Sequence, residues 1–361
     1  MNLLSFISAA FTKTNIPPFR TRSTKVQLSL FNSWNQFYSS SEYEIVNQNS
    51  FNEKRNDFYE SPKNYYLQNI EVQDLTTNAI FIQKKDKIST LIEQCKFINV
   101  ITNIPTQKST GAIFYDSFDG DCIINKCTAY KCYNKIKNSN AYYDGGQFAT
   151  LWHSRNQIII SSIVSCADQP YGVSPFKSKD TSGKYTGINI SKCQTNDSAL
   201  FAVFPSNSDY IKFSLFDGNY GELKVSTGIY VFYNGKFAIR QCIFTNNSVF
   251  TLIFTTHNVA AEIEECIFSN NKNDFLSYAF KGKDNTGHHY SKISIKNCYF
   301  EDTSTKYAVT GSASVSFDNK NNKSIKDHVK SQVNEALHPT IIIYSKEVPY
   351  YLKNRKIHVH H

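Results

Sequence analysis

An all-β solenoid, a right-handed parallel β-helix of about nine coils with three short strands per coil and a cap at each end, is the fold the sequence predicts. Three observations predict it. One phrase recurs: Ile239-Arg-Gln-Cys242-Ile-Phe244-Thr-Asn246 returns as Ile263-Glu-Glu-Cys266-Ile-Phe268-Ser-Asn270 and as Ile295-Lys-Asn-Cys298-Tyr-Phe300-Glu-Asp302. Upstream versions centre on Cys95, Cys127 and Cys193, and weaker ones, without cysteine, on Ile70, Ile163 and Ser214. The copies stand 21 to 36 residues apart, the interval of a stacked repeat. The second observation is a slip of phase inside each copy. Phe237 and Ile239 alternate with period two, then Cys242 and Phe244 alternate one residue out of step. A sharp bend before the cysteine position keeps both short strands facing inward. The third is another apolar strand ahead of each copy, seen in Ala79–Ile82, Gly111–Phe114, Gln147–Leu151, Ala199–Phe204, Gly228–Phe232, Val249–Phe254 and Phe275–Phe280.

Taken in order, residues 1–64 predict an N-terminal cap over the open edge of the stack. They begin Met-Asn-Leu-Leu-Ser-Phe-Ile-Ser-Ala-Ala-Phe, which reads either as a short signal-like segment or as an apolar terminal strand. Residues 65–317 are the repeats. Asp74, Asn99, Asp197, Asn246, Asn270 and Asp302 mark a second corner, since Asn and Asp accept left-handed backbone angles. The polar stretches Lys135–Gly146, Pro170–Gly187 and Lys281–Tyr290 are expected to project as loops, where binding residues tend to lie. Residues 318–361 predict a C-terminal cap. Ser324 can start a helix with an apolar stripe at Ile325, Val329, Val333 and Leu337 that Pro339 ends; Thr340–Tyr344 reads as a last strand, followed by a basic tail. The same helix could instead receive a partner.

Charged residues are 19% and aromatics 14%, the balance of a packed β-rich chain rather than a disordered one. No apolar run reaches 18 residues, so no transmembrane helix is expected. The six repeat cysteines, Cys95, Cys127, Cys193, Cys242, Cys266 and Cys298, form a structural ladder of small side chains in a crowded interior. Disulfides between adjacent coils, such as Cys242 to Cys266, are the other reading. No Cys-x-x-Cys occurs, so no zinc site is expected, and nothing calls for a cofactor. The net charge is +9, and residues 320–361 hold eight Lys or Arg against Asp327, Glu335 and Glu347. Over half the excess therefore lies in the tail, a solvated end or an attraction for acidic partners. Asn189, Asn196, Asn246 and Asn322 open glycosylation sequons, meaningful only in a secreted chain.

The repeats resemble right-handed parallel β-helix repeat proteins of protist and bacterial surfaces, and those of chlamydial polymorphic outer-membrane proteins. The residues that carry the resemblance are Phe244-Thr-Asn-Asn247 and Phe268-Ser-Asn-Asn271, with Thr110-Gly-Ala-Ile113 and Gly145-Gly-Gln-Phe148 as fainter matches. It implies a secreted or cell-surface, adhesin-like protein that binds glycans or proteins along one face; a cytoplasmic location stays open.

The fold also hosts polysaccharide lyases and glycoside hydrolases of the pectin-lyase type, and these form the alternative function. Hydrolysis needs two carboxyl groups flanking one bond. The nearest acidic group is Asp116, Asp119 and Asp121, which also reads as a solvated turn; Gly287-His288-His289 lacks paired aspartates. Asp144, Trp152, His153 and Arg155 form a candidate ligand cluster, because Trp stacks on sugar rings while Arg and Asp bond hydroxyls; Trp152 reads equally as core. Tyr230, Phe232, Tyr278 and Phe280 are candidates for an outward stacking platform. Nucleic acid is not an expected partner.

Overall fold

The computed structural model describes residues 33–40, 42–54, 63–102, 110–135, 146–166, 174–179, 182–194, 198–203, 205–206, 208–221, 227–232, 234–256, 258–271, 280–283, 291–301, 309–310, 314–318 and 323–347. Contacts divide the chain into two units, 1–39 and 40–361. In the first, the short helix Trp34–Phe37 buries Trp34, whose ring lies 4.3 Å from that of Tyr38. The second is a mostly parallel 25-stranded sheet, consistent with a β-helix-like solenoid.

Three lines of parallel strands build it. The first line includes Tyr65–Gln68, Ser89–Glu93, Asp209–Lys212, Gly235–Arg240, Val259–Glu264 and Lys292–Lys296. The second includes Glu71–Gln73, Lys96–Ile98, Leu215–Asp217, Ile243–Thr245, Ile267–Ser269 and Tyr299–Phe300. The third includes Ile80–Lys84, Ser174–Lys179, Thr227–Phe232 and Thr251–Thr256. Three longer strands, Ile113–Asn125, Gly146–Val164 and Ser182–Ser191, run through corners and belong to more than one line. The expected loop over Pro170–Gly187 is therefore largely strand: Ser174–Lys179 joins the third line and Ser182–Ser191 the first and second.

Left-handed residues mark both corners. The first corner falls at Asn69, Gln94, Lys126, Ile160, Gly187, Phe213, Gln241, Glu265 and Asn297, all with positive φ. The second falls five residues later, at Asp74, Asn99, Lys131, Ser165, Lys192, Gly218, Asn246 and Asn270. This corrects two repeat positions. The fourth copy centres on Ser161, not Ile163, and the fifth on Ile188, not Cys193. Cys193 follows Lys192 and so belongs to the second corner with Cys132 and Cys166, while Cys95, Cys127, Cys242, Cys266 and Cys298 keep the first. Ile190-Ser-Lys-Cys193 imitates the first-corner phrase because both corners use the same device, a left-handed residue followed by a short side chain.

The physical need for that side chain is visible in the hydrogen bonds. At seven of these corners the N–H that follows the left-handed residue is taken by a side chain of the following coil. Cys266 N donates to Cys298 Sγ at 3.4 Å, Cys132 N to Cys166 Sγ at 3.4 Å, and Cys127 N to Ser161 Oγ at 3.1 Å. Cys193, Asn219 and Asn247 donate in the same way to Asn219, Asn247 and Asn271 Oδ1, each at 3.1 Å. Each accepting group in turn donates to a carbonyl, as Ser214 Oγ does to Lys212 O at 2.8 Å and Asn247 Nδ2 to Phe216 O at 2.9 Å. Cys, Ser and Asn interchange because each is short and offers both an acceptor and a donor. The cysteines are more than apolar filler. All nine are free thiols and buried. Burial pushes the thiol of Cys193 up to about 12, and those of Cys127, Cys166 and Cys266 are raised for the same reason.

Between the corners the interior is stacked by residue type. Phe216, Phe244, Phe268 and Phe300 lie face to face, with ring centroids 4.8, 5.1 and 5.0 Å apart. Ile92, Ile124, Ile158, Ile211, Ile239, Ile263 and Ile295 share one buried row of the first line with Leu67 and Tyr185. At the N-terminal end, strand Glu44–Val46 pairs with Tyr65–Gln68, and helix Gln48–Lys54 places Phe51 in the core beside Val46.

The C-terminal helix departs from expectation. It spans Lys323–Glu347 without a break, so Thr340–Tyr344 is helix and not a last strand. A proline supplies a helical φ and removes one hydrogen bond, a cost that a helix already anchored over its first turns can carry. Its anchorage is the predicted stripe: Val329, Val333 and Leu337, with Ile325, pack on Ile243 and Ile267, flanked by Leu215 and Tyr299. Those four residues are one outward row of the second line, which upstream reads Glu71, Lys96, Thr128, Ser162 and Asn189. The helix thus lies along the flank of the stack, over its apolar stretch. Lys326 Nζ bonds Glu301 Oε1 at 2.6 Å and lies 4.8 Å above the Tyr299 ring. Among the described residues no helix is long and apolar enough to cross a membrane.

Candidate ligand-binding face

The two clusters singled out in the sequence meet. Asp116, Asp119 and Asp121 occupy the bend of Ile113–Asn125 between the third and first lines, and Trp152, His153 and Arg155 occupy the same bend one coil on. Register sets Trp152 beside Asp116 and Arg155 beside Asp121. Left-handed angles at Asp119 (φ 55°) and His153 (φ 52°) make the bends. His153 Nδ1 lies 2.8 Å from Asp116 Oδ1, and Gln83 Nε2 donates to Asp116 Oδ2 at 3.3 Å. Arg155 grips Asp121 with Nε at 2.6 Å and a terminal nitrogen at 2.8 Å. Asp119 is exposed, as is Phe118. Asp144 lies outside the described residues.

Trp152 is buried rather than presented. Phe114 meets it edge-on at 5.5 Å, Phe114 in turn stacks on Phe81 at 4.9 Å, and Lys179 Nζ sits 5.1 Å over the indole. Its rings anchor the bend. Of the proposed aromatic platform, Tyr230 is half-buried and stacks on Phe254 at 4.8 Å, while Phe232 is buried. Tyr278 lies outside the described residues, as do Gly287, His288, His289 and the first 12 residues. Glycosidic hydrolysis requires two carboxyl groups turned on one bond; here Asp116 and Asp121 are each turned on a basic side chain of the neighbouring coil. Among the described residues no group of three or more His, Cys, Asp or Glu is placed to hold a metal ion.

A second surface was not legible as a motif. The outer face of the first line is open from Ser182–Ser191 to Lys292–Lys296. Register aligns Lys184, Tyr210, Ala238, Glu262 and Ser294 in one outward row, and Thr186, Lys212, Arg240, Glu264 and Lys296 in the next. Lys236, Ala260 and Lys292 form a third. Lys184, Lys236, Arg240, Glu262, Lys292 and Lys296 are exposed. Arg240 reaches Glu264 at 3.4 Å and Glu262 at 3.6 Å, and Lys212 Nζ lies 5.0 Å over the Tyr210 ring. A shallow cleft of about 170 Å³ opens here, between Ser208, Tyr210, Lys236, Arg240 and Glu262.

Asp209 forms the floor of this cleft and points inward. Burial pushes its pKa up to about 6, against the opposing pull of the Ser206 hydroxyl, the Gly183 N–H and the nearby Lys184 charge. The buried hydroxyl of Tyr185 is raised in turn, by burial first and then by the Asp209 charge. The arrangement offers a sugar ring one aromatic face, and its hydroxyls a carboxylate, a guanidinium and an ammonium. Comparison with protein-family models, with curated proteins and with solved structures found no match to this chain.

Proposed function

We propose that the chain is a right-handed parallel β-helix of about nine coils, capped at both ends, that binds a glycan or protein without transforming it, as an adhesin-like protein of the cell surface or of secretion; the first corner recurs nine times among the described residues. The observation that carries the binding reading is the open first-line face. The second line is covered by the C-terminal helix over its apolar stretch, and the third-line positions Phe114, Thr150, Lys177 and Phe232 are buried. The first-line face from Lys184 to Lys296 instead offers exposed charges, an aromatic ring and a cleft. Solenoids use such long flat surfaces for extended ligands.

The test is binding of the full chain to a glycan array, with reducing-sugar and unsaturated-product release measured on every hit. The expected result is binding without product, lost in Tyr210→Ala combined with Lys236→Ala and kept in Asp116→Asn and Asp121→Asn. Product release that disappears in Asp116→Asn or Asp121→Asn would overturn the reading in favour of a polysaccharide-active enzyme.

A further inference from the structure

Resting on that reading, we propose that the first-line face takes a linear anionic glycan, sulfated or carboxylated, laid across the strands from Ser182–Ser191 to Lys292–Lys296. Five strands carry the face, so at about 4.8 Å per strand it spans about 19 Å, long enough for several sugar units in a row. Lys184, Lys212, Lys236, Lys292 and Lys296 all point out of it. None of the five has an ion-pair partner among the described residues. The carboxylates of the face are placed differently. Glu262 and Glu264 sit together on one strand, Val259–Glu264, and both engage Arg240. Cations therefore lie on either side of one acidic strand, with Tyr210 and the cleft on the N-terminal side.

This spacing selects among polyanions. A nucleic acid carries a charge at every phosphate, and an unbroken run would press phosphates against Glu262 and Glu264. A glycan that carries its anionic groups on some units only can set those groups on the lysines and turn neutral hydroxyls to the glutamates, which accept their hydrogen bonds. Tyr210 offers the apolar face on which a sugar ring stacks. The lysines are ammonium point charges on flexible stems, suited to sulfate or carboxylate groups without bidentate geometry.

The experiment titrates the full chain with sparsely sulfated dextran, partly methyl-esterified polygalacturonate and neutral dextran, at low and at physiological salt, with duplex DNA of matched charge as competitor. The sparsely sulfated dextran or the partly esterified polygalacturonate, or both, should bind and neutral dextran should not, with affinity falling steeply as salt rises. Lys212→Gln combined with Lys236→Gln should weaken binding about tenfold, as expected for two exposed charges that act together. Lys353→Gln with Arg355→Gln and Lys356→Gln, in the basic tail, should bind as the parent does. Loss in the tail variant instead of the face variant would overturn both this inference and the face assignment beneath it. Equal binding of neutral dextran, lost in Tyr210→Ala, would overturn the anionic class and leave the face assignment standing. Displacement by matched-charge DNA as effective as that by the glycan itself would overturn the choice of a glycan.

Discussion

Asp209→Asn should change how stability depends on pH. The carboxyl of Asp209 is buried on the floor of the first-line cleft, and burial raises its pKa from 3.8 to about 6. The folded protein therefore holds this proton more tightly than the unfolded chain does. Well below pH 3.8 both states are protonated and no stability is lost. As pH climbs through 4 to 6 the unfolded chain releases the proton first, and stability falls until the folded state has titrated as well. A displacement of about two pH units corresponds to about 3 kcal/mol lost by pH 7.5. Asn keeps an oxygen to accept from the Gly183 N–H and the Ser206 hydroxyl and has no proton to release. Urea unfolding of parent and variant at pH 4, 5, 6 and 7.5 isolates the effect, because every other titrating group cancels in the difference. The variant should gain on the parent by about 2.4 kcal/mol between pH 4 and 7.5. A difference that stays flat across the range, or that moves the other way, would refute the argument that burial dominates the environment of Asp209.

Cys298→Ser should cost little, since Ser161 and Ser214 already serve at equivalent corners, whereas Cys298→Ala leaves the Cys266 N–H without its acceptor and should cost about 1–3 kcal/mol in denaturant unfolding. Leu337→Ala should destabilise by about 2–5 kcal/mol and speed hydrogen exchange across the C-terminal helix, while Lys326→Ala, which breaks a surface pair with Glu301, should cost under about 1 kcal/mol. Phe244→Ala removes the centre of the ring stack and should cost about 3–5 kcal/mol by the same unfolding assay.

How much of this was legible in the sequence depended on whether a feature is local. The Cys-x-Phe phrase is local, so the bend and its two inward strands could be read from spacing alone. The fifth copy misled because Lys192-Cys193 and Gln241-Cys242 are the same local device at two different corners. Only the five-residue interval from Gly187 to Lys192 separates them, and a glycine at the first corner carries none of the phrase. The apolar stripe of the C-terminal helix was legible, but its seat was not. Leu215, Ile243, Ile267 and Tyr299 become one row only when register is known. The meeting of Asp121 with Arg155 was hidden for the same reason, since the two are 34 residues apart and neighbours only through strand pairing.

The lysine face shows why such a surface leaves no motif. Among the described residues the two corners lie five residues apart in every coil that shows both, because an added residue would turn the second-line strand inside out. The inward rows are held by packing and the corner side chains by hydrogen bonds, so residue type there is narrowly set. The outward positions of the first line carry neither constraint. Lys184, Thr186, Tyr210, Lys212, Lys236 and Glu262 each stand in solvent or at its edge, where exchanging one polar residue for another changes folding stability by only about half a kcal/mol. A face that the fold leaves unconstrained can be shaped to a ligand without disturbing the stack beneath it. On the proposed function its pattern follows the glycan's charge spacing and not the 24- to 34-residue interval of the first corner.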